Sequence, residues 1–288
     1  MLPQSHGGME LMKNLLAACE LNSALDSILR CALLIAQRFE GHVEGISLSP
    51  DLIPVMAFEA PMSWSPNDDA AQKEIDGEVS RRFTEFMSAN DVPASKGLDE
   101  RVSWTFVENG SQGRAAIASY AQLFDVTVIG RPGKNQEDPR LATAETLLFE
   151  SGRPVLLAPP VPPTTLGEQI IVAWNQSMES ARAVALAMPL LMRAKKVFVL
   201  TIAAHNVEGP SAEQMASMLE TRGIPVEVVH RQGAKRAAGI AYLEDSASLG
   251  GDLMVKGAYT QNRLRRMIFG GATAHILTKA QMPVFMVN

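Results

Sequence analysis

The chain has 288 residues, 47% of them apolar and 20% charged, with a net charge of -5. That length suggests two domains, each able to bury a core without metal or disulfide help. The acidic balance argues against a nucleic-acid binder, which needs a basic surface to neutralise phosphates, and no apolar run approaches the roughly 20 residues that span a bilayer.

Taken in chain order, residues 1–11 lack an apolar signal core and read as a disordered leader ahead of the fold, so a cytoplasmic location is expected. Leu15 to Cys19 is an apolar run too short for a helix and suited to a buried parallel strand. Cys19 and Cys31 both lie in apolar segments and read as small buried hydrophobes rather than a redox pair. Leu25, Ile28, Leu29, Ala32, Leu33, Ala36 and Phe39 recur at helical spacing. Val43 to Leu48 reads as a strand, and Ile75, Val79, Phe83, Phe86 and Met87 mark a long amphipathic helix. The pattern then predicts strand Val102 to Val107, helix Arg114 to Leu123, strand Val126 to Ile129, helix Leu141 to Phe149 and strand Pro154 to Ala158. Strands alternating with helices in this way define a doubly wound parallel sheet.

Pro159-Pro160-Val161-Pro162-Pro163 continues neither a helix nor a central strand. It marks a stiff linker over 159–168, between a first domain at 12–158 and a second at 169–288. The second repeats the rhythm, with strands Ile170 to Trp174, Val197 to Ile202, Val226 to His230, Leu253 to Val255 and Val284 to Val287. Its helices are Ala181 to Met192, kinked by Pro189, then Ala212 to Glu220, Ala237 to Leu249 and Gly271 to Ala280. The halves match at Val126 to Gly130 against Leu253 to Gly257, and at Val155 against Val284, with offsets of 127 and 129 residues. A period of this size means duplicated domains rather than a solenoid. The first half is longer by material around Pro50 to Asp69. The expected fold class is therefore α/β, as two tandem doubly wound domains, each a five-stranded parallel sheet. Both terminal strands are short apolar edges, and pairing them antiparallel would make the halves an intramolecular pseudo-dimer.

After the fourth strand of the second half come Gly257-Ala258-Tyr259-Thr260, a basic loop, and Gly270-Gly271-Ala272-Thr273 at the start of the last helix. Glycine admits close backbone approach, and a helix N-terminus offers free N–H groups and a positive dipole end to a phosphate. Lys256, Arg263, Arg265 and Arg266 add positive charge. This describes a nucleotide cradle, or equally a loop with a glycine-started helix and solvated arginines.

The stretch Asp252 to Val287 resembles the C-terminal signature of the universal stress proteins, and Val172 to Ser177 resembles their first strand and turn. The resemblance covers almost the whole chain, once per half, as in the tandem members. It implies an adenine nucleotide α-hydrolase-like fold and a stress-response protein without catalysis. It also implies weak binding of ATP or AMP, with no metal, in the second half. The candidate contacts are Ala173, Asn175, Gly257, Tyr259, Thr260, Gly270, Gly271, Ala272 and Thr273. The family pattern is Gly, two residues, Gly, nine residues, Gly, then Ser or Thr. Here Thr260 replaces the second glycine and Gly271 the hydroxyl residue. In the first half Gly130 and Gly133 match, but Thr143-Ala144 replaces the later pair and Cys19 the first-strand Asp. There Thr143 reads as a helix N-cap, and Glu145 occupies the dipole position and repels phosphate, so no nucleotide is expected.

No Walker A sequence, nucleophile elbow or dinucleotide fingerprint is present. His6, His42, His205, His230 and His275 are scattered without metal-ligand spacing. His230 reads as a partly buried histidine ahead of one lining the cleft at the carboxyl edge of the sheet; Trp64 and Trp104 read as packing residues, and Trp174 as packing ahead of flanking an adenine. Two other functions remain open: an interaction module with both pockets vestigial, and an α-hydrolase-type enzyme. The latter lacks its glycine-rich loop after the first strand. Nucleic acid and membrane are not expected as partners, and a homodimer is left open.

Overall fold

The computed structural model describes residues 12–48, 66–98, 100–107, 114–133, 135, 138–203, 206–232, 237–258 and 271–288. The first half runs β1 Asn14–Cys19, α1 Leu25–Phe39, β2 His42–Ser47, α2 Pro66–Ala89, β3 Ser103–Val107, α3 Arg114–Ala121, β4 Val126–Gly130, α4 Leu141–Glu150 and β5 Val155–Ala158. The second runs β6 Gln169–Ala173, α5 Met178–Leu186, α6 Met188–Leu191, β7 Lys196–Ile202, α7 Ala212–Glu220, β8 Val226–Arg231, α8 Ala238–Ser248, β9 Leu253–Gly257, α9 Gly271–Lys279 and β10 Val284–Val287. The expected strands and helices form. Residues Tyr259, Thr260, Gly270, Arg263, Arg265, Arg266, His6, His205 and Trp64 lie outside the described residues.

All ten strands join one sheet in the order β3-β2-β1-β4-β5-β10-β9-β6-β7-β8. Within each half every pairing is parallel. The halves meet where β10 pairs antiparallel with β5, with Val284 opposite Leu157, Phe285 opposite Leu156 and Met286 opposite Val155. The edge pairing expected of these strands is thus formed. Parallel strands covered on both faces read as unbroken apolar runs. That explains why β4, β5, β9 and β10 are buried at every residue.

Alternating side chains divide the core into two layers. One packs under α1, α2, α5, α6 and α7, through residues such as Leu29, Phe83, Val184, Leu190 and Leu219. The other packs under α3, α4, α8 and α9, through Ile117, Leu147, Tyr242 and Ile276. Corresponding helices of the halves share a face, so the approximate two-fold axis stands normal to the sheet. The two halves therefore present their strand C-termini at opposite edges. Among the described residues, no helix is long and apolar enough to cross a membrane.

Several local readings are revised. The helix read as Ala181 to Met192 begins earlier, at Met178, because the Ser177 side chain caps it by accepting from the Ser180 N–H. It divides at Ala187, ahead of Pro189, into α5 and α6. Part of the extra material of the first half belongs to α2, which starts at Pro66. Thr143 is the third residue of α4, whose N-cap is Arg140. Cys19 and Cys31 are buried and unbridged, and burial pushes both thiols well up, Cys31 to about 12.

Candidate functional site

Each half has the strand order 3-2-1-4-5, so the order in which strands are added to the sheet reverses between its first and fourth strands. Open α/β sheets bind ligands outside the strand C-termini at this switch point. In the second half it lies between β6 and β9, where Ala173 stands opposite Lys256. Ala173 ends β6 and Gly257 ends β9 there, Asn175 follows two residues after Ala173, and Thr273 in the first turn of α9 is reached by the Lys256 side chain.

Trp174 points to the other face and is fully buried, its Nε1 donating to the Pro210 carbonyl at 2.9 Å. It is a packing residue. Asn175 follows, and its Oδ1 accepts from the Ser177 hydroxyl at 2.8 Å, which ties the turn to the start of α5. Gln176 takes the left-handed conformation at φ 68°, so the turn is sharp.

Gly257 needs to be glycine for a reason other than a ligand. A Cβ there would collide with the backbone of Glu179 and Ser180 in the first turn of α5. The expectation that it opens space for a nucleotide is therefore revised: the space is used by α5. Gly239 plays the same part for α8, where a Cβ would press on His275 and the Ala272 carbonyl. These close approaches hold α5, α8 and α9 around the strand ends.

The sequence groups Lys256 with the basic loop that follows it. It is instead a β9 residue, and only 7% of it is exposed. Its ammonium donates to the Gly257 carbonyl at 2.6 Å and to the Thr273 hydroxyl at 3.3 Å. Among the described residues it has no ion-pair partner. Burial pulls its pKa down to about 8, and Glu179 at a distance opposes this only in part.

The first half shows the same site filled from within. Strand register sets Leu15 against Val126 and Ile170 against Leu253. Counting from those rungs, Glu20, not Cys19, is the counterpart of Asn175, and Ile129 is the counterpart of Lys256. Cys19 is instead the counterpart of Trp174. The Glu20 carboxyl accepts from the Asn22 amide at 2.8 Å, and it is hydrogen-bonded by the Thr143 side chain and the Arg140 backbone at the start of α4. Burial raises its pKa to about 7, against the opposing pull of Arg140, Asn22 and Thr143. Glu145, expected at the dipole position, is the fifth residue of α4 and lies past its first turn, its carboxyl pushed up by burial. The group at the α4 N-terminus is thus Glu20, which neither apolar pattern nor glycine spacing signals.

Elsewhere the chemistry is ordinary. His230 is exposed rather than partly buried, and its Nε2 meets Glu213 at 2.7 Å. His42 is buried between the hydroxyls of Ser103 and Thr105, each at 2.9 Å. Trp104 packs edge-on against Phe83. Among the described residues, no group of three or more His, Cys, Asp or Glu is placed to hold a metal ion.

This architecture defines an α/β protein with the universal-stress-protein fold in a two-domain layout. A universal stress protein of Archaeoglobus fulgidus has a similar structure, with a TM-score of 0.70 at 14% identity, covering 95% of this chain and 97% of that one. A protein of unknown function from Pseudomonas aeruginosa PAO1 aligns with a TM-score of 0.56 at 14% identity, over 96% and 92% of the two chains. In sequence, the chain is 25% identical over 168 residues to a universal stress protein of Synechocystis, covering 56% of this chain. The match spans just over half of that relative, 57% of its length. No protein-family model matches the chain.

Proposed function

We propose that this is a non-catalytic stress-response protein that binds one adenine nucleotide, ATP or AMP, weakly and in its second half. The observation that carries this is the difference between the two switch points. In the first half Glu20 is hydrogen-bonded at the start of α4. In the second, the neutral Asn175 stands in the corresponding place, beside Gly257 and the first turn of α9. The similarity to universal stress proteins supports the stress-response part of the reading. Ala173, Asn175, Gly257 through its backbone, Ala272 and Thr273 are proposed contacts within the described residues. Tyr259, Thr260 and Gly270 are carried as proposed contacts on the sequence alone.

The absence of a hydroxyl at Gly271 leaves phosphate binding to backbone donors and the helix dipole, which makes for modest affinity. The proposed chemistry has no dedicated base, so turnover of any nucleotide is expected below roughly 1 per second, under the ordinary enzyme range. Mass analysis of small molecules released from the purified protein, followed by calorimetry with ATP and AMP, tests the reading. Binding of one equivalent supports it. No binding of either nucleotide at millimolar concentration overturns it.

A further inference from the structure

We propose that Lys256 is the charged anchor of the second-half site, and that the site demands an anionic group, a phosphate, seated between its ammonium and the first turn of α9. This rests on the nucleotide reading for the identity of the ligand, but the anion seat has its own evidence.

The ammonium is buried on β9, at the last rung but one before the strand ends. Two of its three N–H groups are used, on the Gly257 carbonyl and the Thr273 hydroxyl. Neither acceptor carries a full charge. A buried cation without a counter-ion is costly, and proteins rarely keep one unless something neutralises it. Among the described residues Glu179, in the first turn of α5, is the carboxylate whose field reaches it, and the two do not form an ion pair. A purely structural tether between Gly257 and Thr273 would need no charge.

The first half shows what such a seat accepts. Thr143 and Thr273 are each the third residue of their helix, and both are buried. Against Thr143 lies a carboxyl, that of Glu20, also hydrogen-bonded to the Arg140 backbone. Against Thr273 lies the Lys256 ammonium, with Asn175 at the place of Glu20. One half brings its own acid to the seat and has the apolar Ile129 at the lysine position. The other brings the base, and among the described residues no carboxylate is hydrogen-bonded or ion-paired to it. The complement that would match the second half to the first is a negative group, and it comes from a ligand.

Thr273 then changes partner. In the structure its hydroxyl oxygen accepts from Lys256. With a phosphate present, both groups donate to phosphate oxygens, together with backbone N–H groups of the first turn.

The test compares wild type with Lys256→Met, which keeps the stem volume and removes the charge, by calorimetry with adenosine, ATP and inorganic phosphate. Thermal unfolding confirms that the variant folds. The expected result is that wild type prefers ATP to adenosine, and that Lys256→Met loses roughly ten- to a hundredfold in ATP affinity while adenosine binding is unchanged. Equal ATP affinity in the two proteins, or an equal loss for adenosine, overturns the anchor and leaves the nucleotide reading standing. Inorganic phosphate bound by wild type, lost in Lys256→Met, with no adenosine bound, supports the anchor and overturns the nucleotide reading. Binding of none of the three overturns both.

Discussion

Asp252 does in the second half what Asp125 does in the first. The Asp125 carboxylate accepts the backbone N–H groups of Lys13 and Asn14 at 2.9 and 2.8 Å, which fixes the start of β1. Asp252 accepts those of Gly167, Glu168 and Gln169 at 3.1, 3.0 and 2.9 Å, which fixes the linker and the start of β6. Each acid thus locks the register of a first strand from the residue just before a fourth strand. Asp252→Ala strands three donors and is expected to cost about 2–3 kcal/mol, against about 1–2 for Asp125→Ala. Guanidinium unfolding of the two variants checks the order.

Lys256 gives a signed pH dependence. Its folded pKa is about 8 and its ordinary value 10.5. The unfolded chain binds more protons between those values, so the cost of the buried charge is full below pH 8 and disappears towards pH 10.5. Lys256→Met should exceed wild type in stability by about 3 kcal/mol at pH 7. The gap should close as pH rises past 8. Chemical denaturation at a series of pH values reads the difference between the two proteins, in which tyrosine titrations cancel. A gap that stays constant with pH contradicts the assignment.

Glu20 has the opposite sign of charge and the opposite window. Its folded pKa is about 7, above the ordinary 4.5. The native state holds the extra proton between those values, so stability from this group falls as pH rises through them. Glu20→Gln should match wild type near pH 4 and exceed it above pH 7. Carbon-detected titration of the Glu20 carboxyl should find its midpoint near neutrality.

Two glycine substitutions should move stability in opposite directions. Gly77 lies exposed within α2 with nothing near a built Cβ, so Gly77→Ala should stabilise by about 0.5–1 kcal/mol. Gly257→Ala drives a Cβ into the backbone of Glu179 and Ser180 and should destabilise by about 1–3 kcal/mol. Thermal unfolding of both variants is sufficient.

The strands were legible because buried parallel strands advertise themselves as apolar runs, and the repeat because Val126 to Gly130 and Leu253 to Gly257 end in the same glycine. The site was legible only in outline. Cys19 was aligned with the first-strand acid because the apolar run ends there, whereas hydrogen-bond register places Glu20 on that rung. Lys256 read as loop because a charge after three apolar residues looks like a strand end. Its burial follows from α9 lying over the last rung, a tertiary fact without local signature. At Gly257 the sequence shows that space is needed and not that α5 fills it.

The antiparallel junction of β5 with β10 bears on how the two sites can change. In an assembly of identical chains, one substitution appears at both switch points together. Here the two copies are inherited as separate positions of a single polypeptide. Glu20 stands at one switch point where Asn175 stands at the other, and Ile129 where Lys256 stands, while the shared strand boundary holds both halves in register. The two positions are free to diverge while the sheet that joins them is kept.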